Sequence, residues 1–301
     1  MRHTRKLLSL LTLTLLTLAS LIVTVNLSHA AVTHNRLASN RLATNRLATN
    51  KLASNRLASN SLTSTKLEAN MATSDLLATA DGRDVYAYLI NCALPEGSTI
   101  QATVSDAADT APPATLYTCN AGLCVFPGGI GLAEYWEDHK LDPKGQRWIS
   151  ACMFARVNAH DTAEPISMRG PHDALAVSSD EAAQFPIQEG AFYGNLFTGD
   201  APIDWNACRG EGQAQGEFDG LVDRDCAEED PANPGKTQCG FKYAGDCRDY
   251  TPVLPSPYAC QHYDFDLGLY ENCHDTSSDG HWGTQPNREV ITVYVTCAPD
   301  C

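Results

Sequence analysis

Arginine is scarce in the acidic part of this chain. From residue 80 onward 12 Lys and Arg face 34 Asp and Glu. Arg147, Arg156, Arg169 and Arg209 lie there, and they could converge on a pocket with Trp148, Glu189, Tyr193 and Asn195. A planar guanidinium grips a carboxylate or phosphate through two parallel hydrogen bonds. These eight residues therefore form a candidate ligand-binding set. The competing expectation is that each arginine satisfies a local carboxylate or carbonyl.

A second grouping is His262, His274 and His281, in a stretch that also holds Asp264, Asp266, Asp275 and Asp279. Imidazoles with carboxylates suit zinc, although no His-Glu-x-x-His spacing organises them. Solvated loop histidines are the plainer reading. The run Glu217 to Asp225 alternates carboxylates around Gly220, as a calcium loop does, but lacks the opening Asp-x-Asp and the closing glutamate. No cofactor is predicted on these motifs, and calcium and zinc stay open. Ser150 and Cys152 stand in neither a Gly-x-Ser-x-Gly elbow nor a cysteine-protease signature. Paired carboxylates would suit a hydrolase, but their abundance does not say which converge.

Twelve cysteines, all after residue 90, form an even set without a Cys-x-x-Cys knuckle. In an oxidising compartment such a set reads as a disulfide framework. Six bridges are expected among Cys92, Cys119, Cys124, Cys152, Cys208, Cys226, Cys239, Cys247, Cys260, Cys273, Cys297 and Cys301. Cys119 and Cys124 flank a turn and would close a hairpin; Cys297 and Cys301 would close a terminal loop. The remaining connectivity stays open.

The elements that must position these groups follow from pattern. Asp142 caps and Pro143 starts a helix over 142–159, with Trp148, Ile149, Cys152, Met153 and Val157 on one apolar face. Cys152 is expected to tie it to a strand. Strands are expected at Val85 to Leu94, Thr99 to Val104, Pro165 to Arg169, Gln188 to Phe197 and Glu289 to Thr296, with a hairpin at Thr115 to Phe126. Val85 to Leu94 is expected to pair with Glu289 to Thr296. From Asp200 to Gly283 the chain is rich in Gly, Pro, Asp and Cys, so bridges more than an apolar core are expected there. The fold class is α+β: a disulfide-rich, mostly β domain with one main helix.

Residues 35 to 79 repeat a five-residue unit, with Asn at 35, 40, 45, 50, 55, 60 and 70 and Leu two places later in nearly every unit. Five helical residues turn the chain by about 500°, so no apolar stripe forms. On a flat strand an odd period sends successive leucines to opposite faces. A short quadrilateral β-helix with inward leucines, or a disordered spacer, remains. The repeat resembles that of the pentapeptide-repeat proteins, though with Asn in the first slot and often Arg or Lys in the second. The runs Gln146 to Cys152, Ala155 to Asn158, Ile166 to Gly170, Glu189 to Phe197 and Ala207 to Gly210 resemble a group of exported bacterial proteins that carry Asn-Leu-type repeats before a cysteine-rich domain. That resemblance implies an architecture and a compartment, and no mechanism.

Arg2, Arg5 and Lys6 precede an apolar run, Leu7 to Val25, and Ser28-His29-Ala30 offers small residues for signal peptidase. The expected organisation is a signal peptide over 1–30, a basic repeat over 31–79 and an acidic domain over 80–301. An uncleaved membrane anchor is the alternative. The expected location is extracellular, cell-surface or periplasmic. The repeat carries six Lys and Arg against two acidic residues, whereas the domain carries a net −22. An anionic cell-envelope polymer is a candidate partner for the repeat. Nucleic acid is not expected, because the domain's field repels phosphate. The functional expectation is a non-catalytic binding or interaction protein. A secreted hydrolase and a surface component assembling through its repeats are the alternatives.

Overall fold

The run Val85 to Leu94, expected as a strand, is helical up to Ala93. A computed structural model describes residues 31–35, 37–38, 58, 61–62, 76–104, 108–110, 116–158, 164–198, 204–214, 226–250, 256–278 and 281–296. In it, helix α1 spans Ala80–Ala93, and the Thr79 side chain caps it by accepting from the Gly82 amide at 3.0 Å. Val85, Ala87, Leu89, Ile90, Cys92 and Ala93 are all fully buried. A segment covered on every side shows neither a period of two nor of 3.6, so its apolar run could not tell strand from helix. The Thr-Ala-Asp-Gly start was the available signal.

After α1 come β3 (Thr99–Thr103), β4 (Thr118–Asn120) and β5 (Leu123–Pro127), which pair antiparallel in a small sheet of order β3-β5-β4. The hairpin β4–β5 is closed by the Cys119–Cys124 bridge, as its spacing predicts. Helix α2 spans Pro143–Ala155; Asp142 accepts from the Gly145 amide at 2.7 Å and Pro143 takes the first turn. It ends before the expected residue 159, because Val157–Asn158 forms strand β6, parallel to β2 (Leu37–Ala38). Two long helices are therefore present, and the Cys92–Cys152 bridge joins α1 to α2 instead of α2 to a strand.

The main sheet has eight strands. These are β1 (Ala31–Asn35), β7 (Glu164–Arg169), β8 (Ile187–Asn195), β9 (Asp204–Arg209), β10 (Lys242–Asp246), β11 (Tyr258–Asp264), β12 (Leu269–Ser278) and β13 (Ile291–Val295). Their spatial order is β1-β7-β13-β8-β9-β10-β11-β12. The closing strand β13 lies antiparallel between β7 and β8, and α1 takes no part in that pairing. Alternation along β13 gives the sheet two faces. Ile291, Val293 and Val295, with Ile166, Met168 and Phe192, join the core that holds α1 and α2. Thr292 and Tyr294 lie on the other face, with Ser167 and Arg169. A register shift in the β13–β8 pairing, opposite Glu189, marks a bulge. It lets Gln188 reach the polar face while the Glu189 carboxylate accepts from the Cys226 amide at 3.3 Å.

Residues 200–283, expected to rely on bridges, contribute four strands and a second small core. That core contains Ala191, Tyr193, Ala244, Ala259, Tyr270 and Val290 around Cys208, Cys247, Cys260 and Cys273. Glycine is required at one point of this framework. Gly194 has φ +133°, and a Cβ there would stand 1.9 Å from the Asp204 carbonyl of the neighbouring strand.

Five disulfides occur among the described residues: Cys92–Cys152, Cys119–Cys124, Cys208–Cys247, Cys226–Cys239 and Cys260–Cys273. Cys297 and Cys301 lie outside them, and so do the expected calcium-like run and the repeat's overall form. Within the repeat, Ala58, Leu62, Leu76 and Leu77 are described, and all four are buried in the main core. The Leu62 amide donates to the Trp136 carbonyl at 2.9 Å and the Leu141 amide to the Ala58 carbonyl at 3.0 Å. At these points the repeat segment packs on the domain.

Candidate functional site

The polar face of the main sheet carries a network of tyrosines centred on one amide. The Gln188 Nε2 donates to Tyr294 at 2.7 Å and to Tyr263 at 3.2 Å. Its Oε1 accepts from the Tyr270 hydroxyl at 2.5 Å and from the Glu211 amide at 3.0 Å. Tyr263 and Tyr294 share a hydrogen bond of 3.0 Å, and Tyr250 shares one with Tyr270. Three strands, β8, β11 and β13, hold Gln188, Tyr263 and Tyr294, and β12 supplies Tyr270. An amide has two donors and an acceptor oxygen with two lone pairs, so Gln188 is fully used.

Arginines stand at both ends of the network. Arg169 lies with its guanidinium 3.5 Å from the centre of the Tyr294 ring and donates to the Phe185 carbonyl at 2.9 Å. Burial lowers its pKa, partly offset by Tyr294 and Glu181. Glu181 itself is pushed up by burial, against a Ser167 hydrogen bond and the Arg169 charge. Arg248 sits among the rings of Tyr250, Tyr263 and Phe265 at 5.0 to 5.3 Å and pairs with Glu211 at 2.5 Å. Burial works against its charge, but Glu211 outweighs it and holds the pKa up.

The turn from β11 to β12 covers this end. Asp264 accepts from the Asp266 and Leu267 amides at 2.9 Å, and Gly268 closes the turn at φ +65°. Phe265 (74%) and Leu267 (51%) are exposed at its tip. Beneath it, burial raises the pKa of Tyr250, Tyr270 and Tyr294. These hydroxyls stay protonated at neutral pH, so the site offers neutral donors and acceptors, stacked guanidinium planes and an aromatic rim.

Of the eight residues proposed from sequence, Arg169 belongs to this network and the others are placed elsewhere, each with a partner of its own. Arg147 pairs with Glu289 at 2.6 Å and Arg209 with Asp246 at 2.7 Å. Arg156 is buried, donates to the Asn91 side chain at 2.6 Å and lies over the Tyr88 ring at 4.4 Å; burial lowers its pKa to about 10. Trp148 packs edge-on against His172. Glu189 accepts from the Cys226 amide, and Tyr193 donates to the His274 carbonyl. Asn195 accepts from the Phe197 amide at 2.8 Å. Ser150 is equally committed, donating to the Gln146 carbonyl at 2.6 Å and accepting from the Leu196 amide at 2.8 Å.

The histidines are separated in environment. His262, on β11, faces its cross-strand neighbour Glu271 at 3.0 Å and is exposed. His274 is buried, stacked on Trp282 at 5.0 Å, with Gln261 at 3.0 Å and Thr284 at 3.1 Å from its two ring nitrogens. Burial lowers its pKa against the pull of Asp275. His281 lies in the exposed loop after β12. Among the described residues, the one group of three potential metal-ligand atoms within 4.8 Å is Cys208, Cys247 and Cys260, and all three sulfurs are in disulfides. Zinc needs free thiolates, so the oxidised cluster does not fit it.

Sequence reasoning missed Gln188, Arg248 and the tyrosines 250, 263, 270 and 294. The signal was present only in part. Tyr263 and Tyr270 flank six residues, Asp264 to Leu269, that open with Asp and carry Gly268 next to last, a hairpin pattern. No family model, no curated protein and no solved structure matches this chain.

Proposed function

We propose that this chain is an exported, non-catalytic binding protein, secreted or held at the cell envelope, whose disulfide-stapled domain displays a binding surface. The observation that carries the reading is the local commitment of the ionisable groups. Arg147, Arg156, Arg169, Arg209 and Glu189 each end on a structural partner, and the buried tyrosines are held in their neutral form. General acid–base work instead needs a group poised near the operating pH and aimed at a substrate. Five disulfides suggest an oxidising, extracytoplasmic environment. Among the described residues no helix is long and apolar enough to cross a membrane.

The basic repeat is the natural contact for an anionic envelope polymer, because its charge opposes that of the domain. Deleting residues 31–79 would be a poor test, since β1 and the buried Leu62, Leu76 and Leu77 belong to the domain's own structure. The better perturbation keeps the chain and replaces Arg36, Arg41, Arg46, Lys51, Arg56 and Lys66 with Gln. Cosedimentation with isolated envelopes is expected for the native protein at low salt, lost at about 0.5 M salt, where the screening length falls to roughly 4 Å. The neutralised variant should stay in the supernatant. If it pellets as the native protein does, the repeat is not the anchor.

A further inference from the structure

Four neighbouring strands bring one cysteine each to a single buried spot. Cys208 lies on β9, Cys247 directly follows β10, Cys260 lies on β11 and Cys273 on β12. The bridges run Cys208–Cys247 and Cys260–Cys273, so each joins two adjacent strands. The Sγ atoms of Cys208 and Cys260, which belong to different bridges, are only 3.7 Å apart. Backbone bonds hold this register: the Cys247 amide donates to the Arg209 carbonyl at 2.8 Å and the Cys260 amide to the Cys247 carbonyl at 2.9 Å. All four residues are buried, so each sulfur meets its neighbours more readily than it meets a thiol from solution.

We propose that this cluster is an internal thiol–disulfide exchange site, in which opening either bridge leads to a Cys208–Cys260 bond. A dithiol reductant first opens Cys208–Cys247; its two thiols become a disulfide, and Cys208 and Cys247 are left as thiols. Cys208 gives its proton to water, and its thiolate attacks Sγ of Cys260. The Cys260–Cys273 bond breaks, its electron pair stays on Cys273, and that sulfur takes up a proton. The net change is one two-electron reduction, with two bridges replaced by one bridge and two thiols. Opening Cys260–Cys273 first gives the same product, because the Cys260 thiolate then attacks Cys208 and expels Cys247. The new bond spans β9 to β11 across β10. It releases β12, the edge strand that supplies Tyr270, from its covalent tie.

The test needs no external reductant. In the full chain, Cys247→Ser leaves Cys208 as a thiol facing an intact bridge, and Cys273→Ser leaves Cys260 in the mirror position. Each variant is held near pH 8.5, where an ordinary thiol is about half ionised, then acid-quenched, alkylated with N-ethylmaleimide in denaturant and mapped by peptide mass spectrometry. The expected result is a Cys208–Cys260 linked peptide in both, with label on Cys273 in the first and on Cys247 in the second. Cys92→Ser is the control. Its free Cys152 belongs to no such sulfur group and should carry the label itself. Label confined to Cys208 in the first variant and to Cys260 in the second overturns the proposal. Should both variants misfold, the native protein treated with limiting dithiothreitol decides it, because singly reduced molecules lacking a Cys208–Cys260 peptide would be equally fatal.

Discussion

Removing the bridges one at a time should destabilise the protein in order of the loops they close. Cys92–Cys152 joins residues 60 apart and Cys119–Cys124 residues 5 apart. Closing loops of those lengths restricts the unfolded chain by about 4 and about 2 kcal/mol, so the two should differ by about 2 kcal/mol. Local packing does not favour either. All four cysteines are buried, and each Cys→Ala pair leaves a similar void. For a domain of this size a kilocalorie moves the melting temperature by about 2 to 4 °C. C92A/C152A should therefore melt about 8 to 16 °C lower than the native protein, and C119A/C124A about 4 to 8 °C lower. Cys208–Cys247, with a separation of 39, belongs between them. The assay is calorimetry with parallel urea titrations, after thiol counting has shown the other bridges intact. An equal loss for the two variants, or a larger one for C119A/C124A, would refute loop closure as the source of the stabilisation.

Two further outcomes follow from the tyrosine network. Gln188→Leu strips four hydrogen bonds, two of them from the buried Tyr270 and Tyr294, and should cost about 2 to 4 kcal/mol, because those orphaned hydroxyls keep their desolvation penalty; a loss under about 0.5 kcal/mol in urea unfolding would show the network to be loose. Alkaline titration supplies the second. Tyr193, Tyr250, Tyr270 and Tyr294 have pKa values raised by burial, and Tyr243 is pushed up to about 12. A folded pKa above the unfolded value of about 10 means that the unfolded state releases its proton first, so this stability is present below pH 10 and lost as pH rises. Absorbance at 295 nm should show part of the 11 tyrosines ionising near pH 10 and the rest only with the loss of near-ultraviolet circular dichroism. Full ionisation with that signal intact would contradict their burial.

Local chemistry carried much of this fold. The Asp142-Pro143 start placed α2, the spacing of Cys119 and Cys124 placed a hairpin and its bridge, and strong β propensity placed β13. Each depends on residues within one turn of helix or one strand of the feature itself. Where the environment was uniform the pattern fell silent: Val85 to Ile90 of α1 is buried throughout, and that run reads equally well as a buried strand. The candidate site was less legible still. Arg169 was named from composition, but its partners stand at Phe185, Ser167 and Tyr294, and Gln188 finds Tyr263, Tyr270 and Tyr294 from 75 to 106 residues away.

By itself, then, the sequence determined the disulfide-rich α+β character, the opposite net charges of residues 35–79 and 80–301, and those elements whose caps and turns are local. Tertiary structure alone decided which cysteines pair beyond the short hairpin, which arginines are spent on structure and which tyrosines meet one amide. The physical reason is that pairing and burial across distant strands depend on sheet order and on the bulge at Glu189. A one-residue shift there would turn Gln188 to the opposite face, and no periodicity within β8 records it.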